Sequence, residues 1–152
     1  MRCSVRLERE RLDPERELRD FLLAAEGAGA IVSFVGMVRH SGTAGAVESL
    51  VLEHHPALTE SSMIDAAEEA LRRFEIERVS VVHRCGNLLP GEPIVFVAAA
   101  SAHRRAAFEA ADYLMDRLKT DAVFWKREEG PEGRRWIEPT EADHSARERW
   151  ES

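Results

Sequence analysis

The sequence predicts an α+β domain with three main helices and mostly antiparallel strands. Apolar residues alternate along several short segments, which is typical of strands, and they recur at helical spacing along three longer ones. The helical segments lie between strand-like segments, and that order favours an α+β fold. A chain of 152 residues suits one compact domain.

The first half of the chain is predicted to contain three strands and two helices. Asp13 followed by Pro14 is typical of an N-cap and a first helical residue, and Gly27 ends that helix. The segment after it is nearly all apolar, which predicts a well-buried strand. The predicted strands are 2–8, 30–38 and 47–55, and the predicted helices are 14–26 and 56–74.

The second half is predicted to contain four strands and the third helix. Ser101 is the expected cap of this helix. The apolar stripe of the helix consists of Phe108, Ala111, Met115 and Leu118. The predicted strands are 76–83, 93–101, 123–128 and 135–138, and the predicted helix is 102–118.

The C-terminal residues differ in composition from the rest of the chain. From Thr140 onward the sequence is polar, which is typical of mobile chain ends. We therefore expect a domain over residues 1–139 and a polar, mobile tail over residues 140–152.

The charges are unevenly distributed. The formal net charge is −7, which argues against broad nucleic-acid binding because such proteins usually present a basic face. Between His103 and Arg135, however, the basic residues collect: Arg104, Arg105, Lys119, Lys126, Arg127, Arg134 and Arg135. A local basic site on an acidic protein suits a small anionic ligand better than a polyanion.

Cysteines and histidines give no sign of a metal site or a cofactor. Cys3 and Cys85 are too few for a disulfide scaffold and too far apart for a metal-binding knuckle. Cys85 is a candidate nucleophile, but a small half-buried side chain is the favoured interpretation. His54 and His55 are strand neighbours that point to opposite faces, so no bound metal is predicted. Because no apolar run approaches the ~20 residues of a membrane span, a cytoplasmic protein is the simplest expectation.

Lys119 and Lys126 are the strongest candidates for chemistry. Lys119 lies one turn beyond Met115 on the third helix, and strand alternation puts Lys126 on the same side as Phe124. If the strand folds back beside the helix end, the two lysines converge near Arg39. Such a cleft would bind a phosphate and an electron-rich heterocycle, and the lysines would lower each other's pKa values. A lysine tuned in this way serves as an acid, a base or an amine nucleophile.

Each of these residues also has a purely structural interpretation. A lysine near a helix C-terminus offsets the macrodipole, which is the more frequent role for a residue placed like Lys119. Lys126 suits an edge strand, where a charge prevents pairing with another chain, and Met115 suits a core. His103 and Arg104 begin a helix, where a cation opposes the dipole, so a bound anion at that end would explain them.

Five motifs follow one another along the chain. They are 29–39, 52–56 with Thr59 and Glu60, 83–86, 100–104 with 107–108, and 115–128. The last runs Met-Asp-Arg-Leu-Lys-Thr-Asp-Ala-Val-Phe-Trp-Lys-Arg-Glu and contains Lys119 and Lys126. In this order and spacing the motifs, and with them residues 1–138, resemble the large, catalytic subunit of molybdopterin synthase.

The resemblance implies an α/β-hammerhead-type fold and a sulfurtransferase of molybdenum cofactor biosynthesis. Enzymes of this family insert two sulfurs into cyclic pyranopterin monophosphate and produce molybdopterin. The sulfur arrives as a thiocarboxylate at the C-terminal Gly-Gly of a small ubiquitin-like subunit, so the donor need not be a cysteine of this chain. The family forms a homodimer of large subunits with a small subunit at each end, a heterotetramer.

Matching the family motifs position by position makes Lys119 and Lys126 the catalytic candidates. The residues that match substrate-binding segments are Met37, Val38, Arg39, His103, Arg104, Lys119, Lys126, Arg127 and Glu128. Two positions depart from the family: His55 stands where tyrosine is frequent, and Val123 where proline is frequent. We expect Val123 to loosen the turn that positions Lys126.

Two other functions are compatible with the sequence. A non-catalytic module would hold a ubiquitin-like tail or an anionic metabolite in the same basic cleft and would show affinity without product. An RNA-binding α+β domain would use Phe34, Phe96 and Phe124 as stacking rings. The net charge and the apolar context of Phe34 and Phe96 favour core positions for those rings instead.

Overall fold

The computed structural model describes residues 2–42 and 45–151. Its strands are β1 (Cys3–Glu8), β2 (Ala30–Met37), β3 (Ser41–Gly42), β4 (Gly45–Ala46), β5 (Ser49–His54), β6 (Arg78–Arg84), β7 (Gly86–Leu88), β8 (Pro93–Ser101), β9 (Phe124–Gly130) and β10 (Gly133–Ile137). Its helices are α1 (Pro14–Ala24), α2 (Leu58–Arg73), α3 (Arg104–Thr120) and α4 (Glu141–Glu148).

Within the described residues the strands form two four-stranded sheets and a short ribbon. The first sheet has the order β1-β6-β8-β2, the second has the order β10-β9-β5-β7, and β3 pairs with β4. These pairings are antiparallel apart from that of β1 with β6, which is parallel. The α+β prediction with mostly antiparallel strands is confirmed.

The first sheet is the centre of the fold because both of its faces are covered. One face packs on α2 and α3, where Met63 and Leu114 are fully buried, and the other packs on α1 through Phe21. β8 supplies both cores by alternation: Val95, Val97 and Ala99 on one side, Phe96, Ala98 and Ala100 on the other. A strand buried on both faces needs a continuous apolar run, which is what its sequence has.

β2 lies at the edge of the first sheet, and the prediction that it is well buried was wrong. It pairs with β8 alone, so part of its apolar surface faces outward in the single chain. Phe34 is 43% exposed and Met37 is 48% exposed. The core position expected for Phe34 is therefore also wrong, whereas Phe96 is fully buried as expected.

The beginning of α3 differs from its prediction. The helix begins at Arg104 with His103 as the N-cap residue, and Ser101 accepts a hydrogen bond from the His103 backbone N–H at 3.2 Å. Phe108, expected in the apolar stripe, is 60% exposed, because the buried face of α3 is centred on Ala107, Leu114 and Leu118 and is turned away from Phe108.

His55 follows β5 and organises the start of α2. Its Nδ1 accepts hydrogen bonds from the backbone N–H groups of Ala57 and Leu58, at 3.2 and 3.1 Å. The first N–H groups of a helix have no partner within it, so an imidazole nitrogen here does the work of an N-cap side chain. The departure at position 55 thus has a local structural role.

The polar residues after Pro139 include a helix that the sequence analysis did not predict, α4. Thr140 and Asp143 make a reciprocal capping box at the start of α4, with the two N–H···O distances at 2.9 and 3.0 Å. At the other end, the Trp150 ring packs edge-on against Phe74 and Tyr113, with ring centroids 5.7 and 5.5 Å away. The division between domain and tail at residue 139 stays a prediction.

Candidate active site

A cleft of about 420 Å³ opens between β2, the end of α3 and β9. Its lining includes Arg39, Met115, Lys119 and Lys126, so the convergence of the two lysines near Arg39 that the sequence suggested is present. Ligand sites in proteins typically measure ~300–1,000 Å³. The cleft therefore has the size and the positive charge to take a small anionic molecule.

The chain contains two lysines among its 21 basic residues, and both line this cleft. Every other basic position is arginine, whose guanidinium remains charged at all ordinary pH values. An ammonium group, by contrast, loses its proton readily when it is desolvated. The scarcity of lysine is visible in the sequence, and it singles out the two residues that the structure brings to this cleft.

Lys126 lies on the inward face of β9. Alternation along the strand points Phe124 and Lys126 toward the interior and leaves Trp125 50% exposed. Burial, together with the charge of Lys119, lowers the pKa of Lys126 to about 8, against a partial opposing effect from Asp143. At neutral pH roughly a tenth of such a group is the free amine, which suffices for acid–base or nucleophilic chemistry.

A second, smaller hollow of about 170 Å³ meets the two lysines from another side. It is lined by Phe124, Ile137, Pro139 and Asp143 together with Lys119 and Lys126. Burial alone would raise the pKa of Asp143, but hydrogen bonds from Thr140 and the two lysine charges outweigh it and lower the pKa. The lysines thus separate two openings, one beside Arg39 and one beside α4.

His83 also lines the cleft. The residue is 4% exposed, and its ring stacks on that of Phe124 with centroids 4.2 Å apart. Its Nδ1 lies 2.8 Å from the backbone carbonyl oxygen of Arg84. Because β6 and β9 belong to different sheets, only the folded structure could bring His83 and Phe124 together.

His103 and Arg104 lie apart from the lysines. They line a separate hollow with Arg105, Phe108 and Glu109 at the start of α3. Lys119 is sixteen positions after His103 along α3, which corresponds to about 24 Å at 1.5 Å per residue. One small ligand therefore cannot contact Lys119 and the start of α3 of the same chain.

Of the other predicted substrate-binding residues, one lines the cleft and three do not. Met37 lines the cleft. Val38 is 4% exposed and packs with Leu50, Leu52 and Leu88, so its side chain is part of a core. Arg127 forms ion pairs with Glu53 and Glu129, and its guanidinium lies 5.3 Å from the centre of the Trp136 ring. Glu128 lies beside Gly42, outside the cleft lining.

The remaining chemical candidates are structural. Cys85 is 2% exposed, and its Sγ lies 3.8 Å from the backbone carbonyl of Glu8, so the buried interpretation is supported over the nucleophilic one. In residues 2–42 and 45–151 no three His, Cys, Asp or Glu side chains are grouped as metal ligands would be. Over the same residues, no helix has the length and apolarity required to cross a bilayer.

Comparison with known proteins gives a consistent result. A family model described as MoaE protein matches residues 7–121. The chain is similar to molybdopterin synthase catalytic subunits. That of Pseudomonas aeruginosa is 45% identical, over 97% of this chain and 99% of the relative. That of Escherichia coli is 50% identical, over 80% of this chain and 81% of the relative. A solved structure, the molybdopterin biosynthesis MoaE protein from Burkholderia ambifaria, superposes with a TM-score of 0.83 at 38% identity and covers 99% of both chains.

Proposed function

The chain belongs to the MoaE family, that of the molybdopterin synthase catalytic subunits, and from this we propose that it is the subunit that inserts sulfur into cyclic pyranopterin monophosphate. The reaction makes it a sulfurtransferase that produces molybdopterin. The observation that carries the proposal is the presence of both lysines of the chain, with Arg39, around one cleft.

The two openings suit the two reactants. The larger cleft beside Arg39 has room for the pterin, and its guanidinium offers paired hydrogen bonds to phosphate oxygens. The smaller hollow suits an extended peptide end, such as the Gly-Gly terminus of a ubiquitin-like sulfur carrier. The lysines between them are then next to both the sulfur donor and its acceptor.

We assign the principal catalytic role to Lys119. Once the thiocarboxylate sulfur is bonded to the pterin, water adds to the glycine carbonyl, and the carbonyl oxygen carries negative charge in the resulting tetrahedral species. Its collapse breaks the carbon–sulfur bond, leaves the sulfur on the pterin and releases the donor as a carboxylate, and an ammonium beside the oxygen stabilises the charge. Lys126, whose pKa is lowered to about 8, is suited to exchange protons near neutral pH and to hold the intermediate between the two transfers. Cys85 need not donate sulfur, which agrees with its burial.

The predicted binding role of His103 and Arg104 requires a second protomer. Since they lie about 24 Å along α3 from Lys119, they reach a substrate at the lysines only across a dimer interface. A homodimer of this chain with a small subunit on each protomer, a heterotetramer, satisfies this requirement. Mixing Lys119→Ala and Arg104→Ala proteins should then restore activity, because one cleft of the mixed dimer is complete.

A single-turnover assay tests the function directly. The protein is combined with cyclic pyranopterin monophosphate and a thiocarboxylated small subunit, and the product is measured as its fluorescent oxidised derivative. Wild type should form product, Lys119→Ala should not, and Lys119→Arg separates the need for charge from the need for an amine. If wild type binds the small subunit stably but forms no product, the chain is a non-catalytic binding module instead.

A cytoplasmic location is part of this proposal. Fractionation of cells that express a tagged chain tests it, and recovery of the protein with membranes would contradict it.

A further inference from the structure

His83 is the one residue of the cleft lining that joins the two sheets through a ring contact. It lies near the end of β6, beside Val95 of β8, and its ring extends to Phe124 of β9 with an angle of 26° between the two planes. Rings stacked at this distance fix each other's position. The contact therefore holds β9 against the first sheet beside the cleft.

The ring of His83 is uncharged. A backbone carbonyl only accepts, so the 2.8 Å contact between Nδ1 and the Arg84 oxygen requires that Nδ1 carries the hydrogen. Burial, and after it the charge of Lys126, lowers the pKa of His83 to about 3, although the Arg84 carbonyl opposes this shift. At neutral pH the His83 side chain is thus an uncharged, weakly polar, planar ring.

Phe124 lies on the same strand as Lys126 and connects it to this ring contact. The two residues are two positions apart on β9, so their side chains are neighbours on the inward face. Lys126 is opposite Leu52 of β5, which is 1% exposed, so the strand has little freedom to move on that side. His83 lines the cleft and Phe124 lines the smaller hollow, both beside Lys126, so the stacked rings are placed to shield its side chain from water.

We propose that His83 is a positioning residue for Lys126, whose neutral ring, stacked on Phe124, keeps the amine of Lys126 inside the cleft and out of water. The catalytic meaning of this role rests on the proposed function, but the contact itself does not. Among the described residues, the other charged groups that line the two openings with Lys126 are Lys119 on α3, Glu138 after β10, Asp143 on α4 and Arg39 across the cleft, and none of them supplies a ring.

Competitive amine labelling tests this inference without an activity assay. Because the chain has two lysines, a reagent that modifies free amines marks Lys119, Lys126 and the N-terminus, and mass spectrometry separates them. The pH at which Lys126 becomes half-reactive should lie near 8 in wild type. In His83→Ala, water enters beside the amine, and the midpoint should rise by about one pH unit or more.

Two further variants test whether the stacked ring pair, rather than the histidine nitrogen, sets the labelling midpoint of Lys126. His83→Phe preserves an uncharged stacked ring and should leave the midpoint of Lys126 near its wild-type value. Phe124→Leu removes the stack from the other side and should raise the midpoint as His83→Ala does, which also covers the case that His83→Ala fails to fold. Trp125→Phe, on the outward face of β9, is the control and should leave the labelling midpoint of Lys126 unchanged.

An unchanged midpoint in folded His83→Ala or Phe124→Leu would overturn the inference. So would a His83→Phe protein that shifts as far as His83→Ala, since the ring nitrogen rather than the stacked ring pair would then matter. The pH profile of single-turnover sulfur transfer should move with the labelling midpoint. If labelling shifts as expected but wild type forms no product, the proposed function fails and the positioning of Lys126 stands.

Discussion

The hydroxyl of Thr59 on α2 donates a hydrogen bond to the backbone carbonyl of Val123, the residue just before β9. Ser62, one helical turn further on, accepts a hydrogen bond from the Val123 N–H at 3.2 Å. Both backbone groups of Val123 are thus held by α2. The expectation that valine at this position loosens the turn before Lys126 receives no support from this geometry.

Thr59→Val should destabilise the protein. Thr59 is fully buried, and its hydroxyl also accepts from the His55 backbone N–H at 2.8 Å, so valine would leave the His55 N–H and the Val123 carbonyl without this partner. We expect the free energy of unfolding in urea to fall by about 1–3 kcal/mol. The control is Ser61→Ala, at an exposed position on the same helix. Equal stability of the two variants would contradict the role of this hydroxyl.

The stability of the protein should depend on pH through Lys126. Its pKa falls from 10.5 in the unfolded chain to about 8 in the folded protein. Between these values the unfolded state binds a proton that the folded state does not, so the free energy of unfolding rises with pH, by roughly 3 kcal/mol in total. Lys126→Met should lack this rise, whereas Arg134→Met, at an exposed position, should retain it. Parallel curves for wild type and Lys126→Met would be evidence against a desolvated amine.

Asp143→Asn should lower the pKa of Lys126. The carboxylate raises that pKa, and asparagine removes its charge while it still accepts a hydrogen bond from the Thr140 N–H. The labelling midpoint of Lys126 should therefore move to lower pH, with α4 intact by circular dichroism. Glu141→Gln, in the first turn of the same helix, is the matched control and should leave the midpoint in place.

Trp150→Ala should detach α4. The indole packs on Phe74 and Tyr113, and its Nε1 donates to Asp116 at 2.7 Å, so alanine removes both contacts. We expect a loss of about 1–3 kcal/mol in unfolding free energy and faster amide hydrogen exchange over α4. Leu23→Ala, at a side chain that is 73% exposed, should cost far less. Unchanged exchange rates in α4 would show that Trp150 does not dock it.

Much of the fold was predictable because its signals are local. The Asp13 side chain accepts from the Arg16 N–H as an N-cap should, and Pro14 is the first residue of α1. The bounds predicted for β8 agree with the structure for the same reason, since a strand-sized apolar run that ends at a helix start has few alternatives. Family motifs, in turn, pointed to the two lysines.

The errors arose where the answer depends on which elements meet. The apolar sequence of β2 gives no information on whether another strand will pair with its outer edge, and in residues 2–42 and 45–151 no strand does. The stack of His83 on Phe124 joins two sheets and leaves no trace in either local sequence. α4 was missed although its Thr140–Asp143 capping box was present, because its polar composition outweighed a signal of two residues.

The pairing of β9 with β5 has a consequence for the order of synthesis. Ser49 and Glu129 lie opposite each other in this ladder although they are 80 residues apart, so the ribosome delivers the first sheet and its three helices before it delivers β9. Until residue 119 is made, the nascent chain contains no lysine. Any translation product that stops earlier has no side-chain amine, so it lacks both of the proposed catalytic groups.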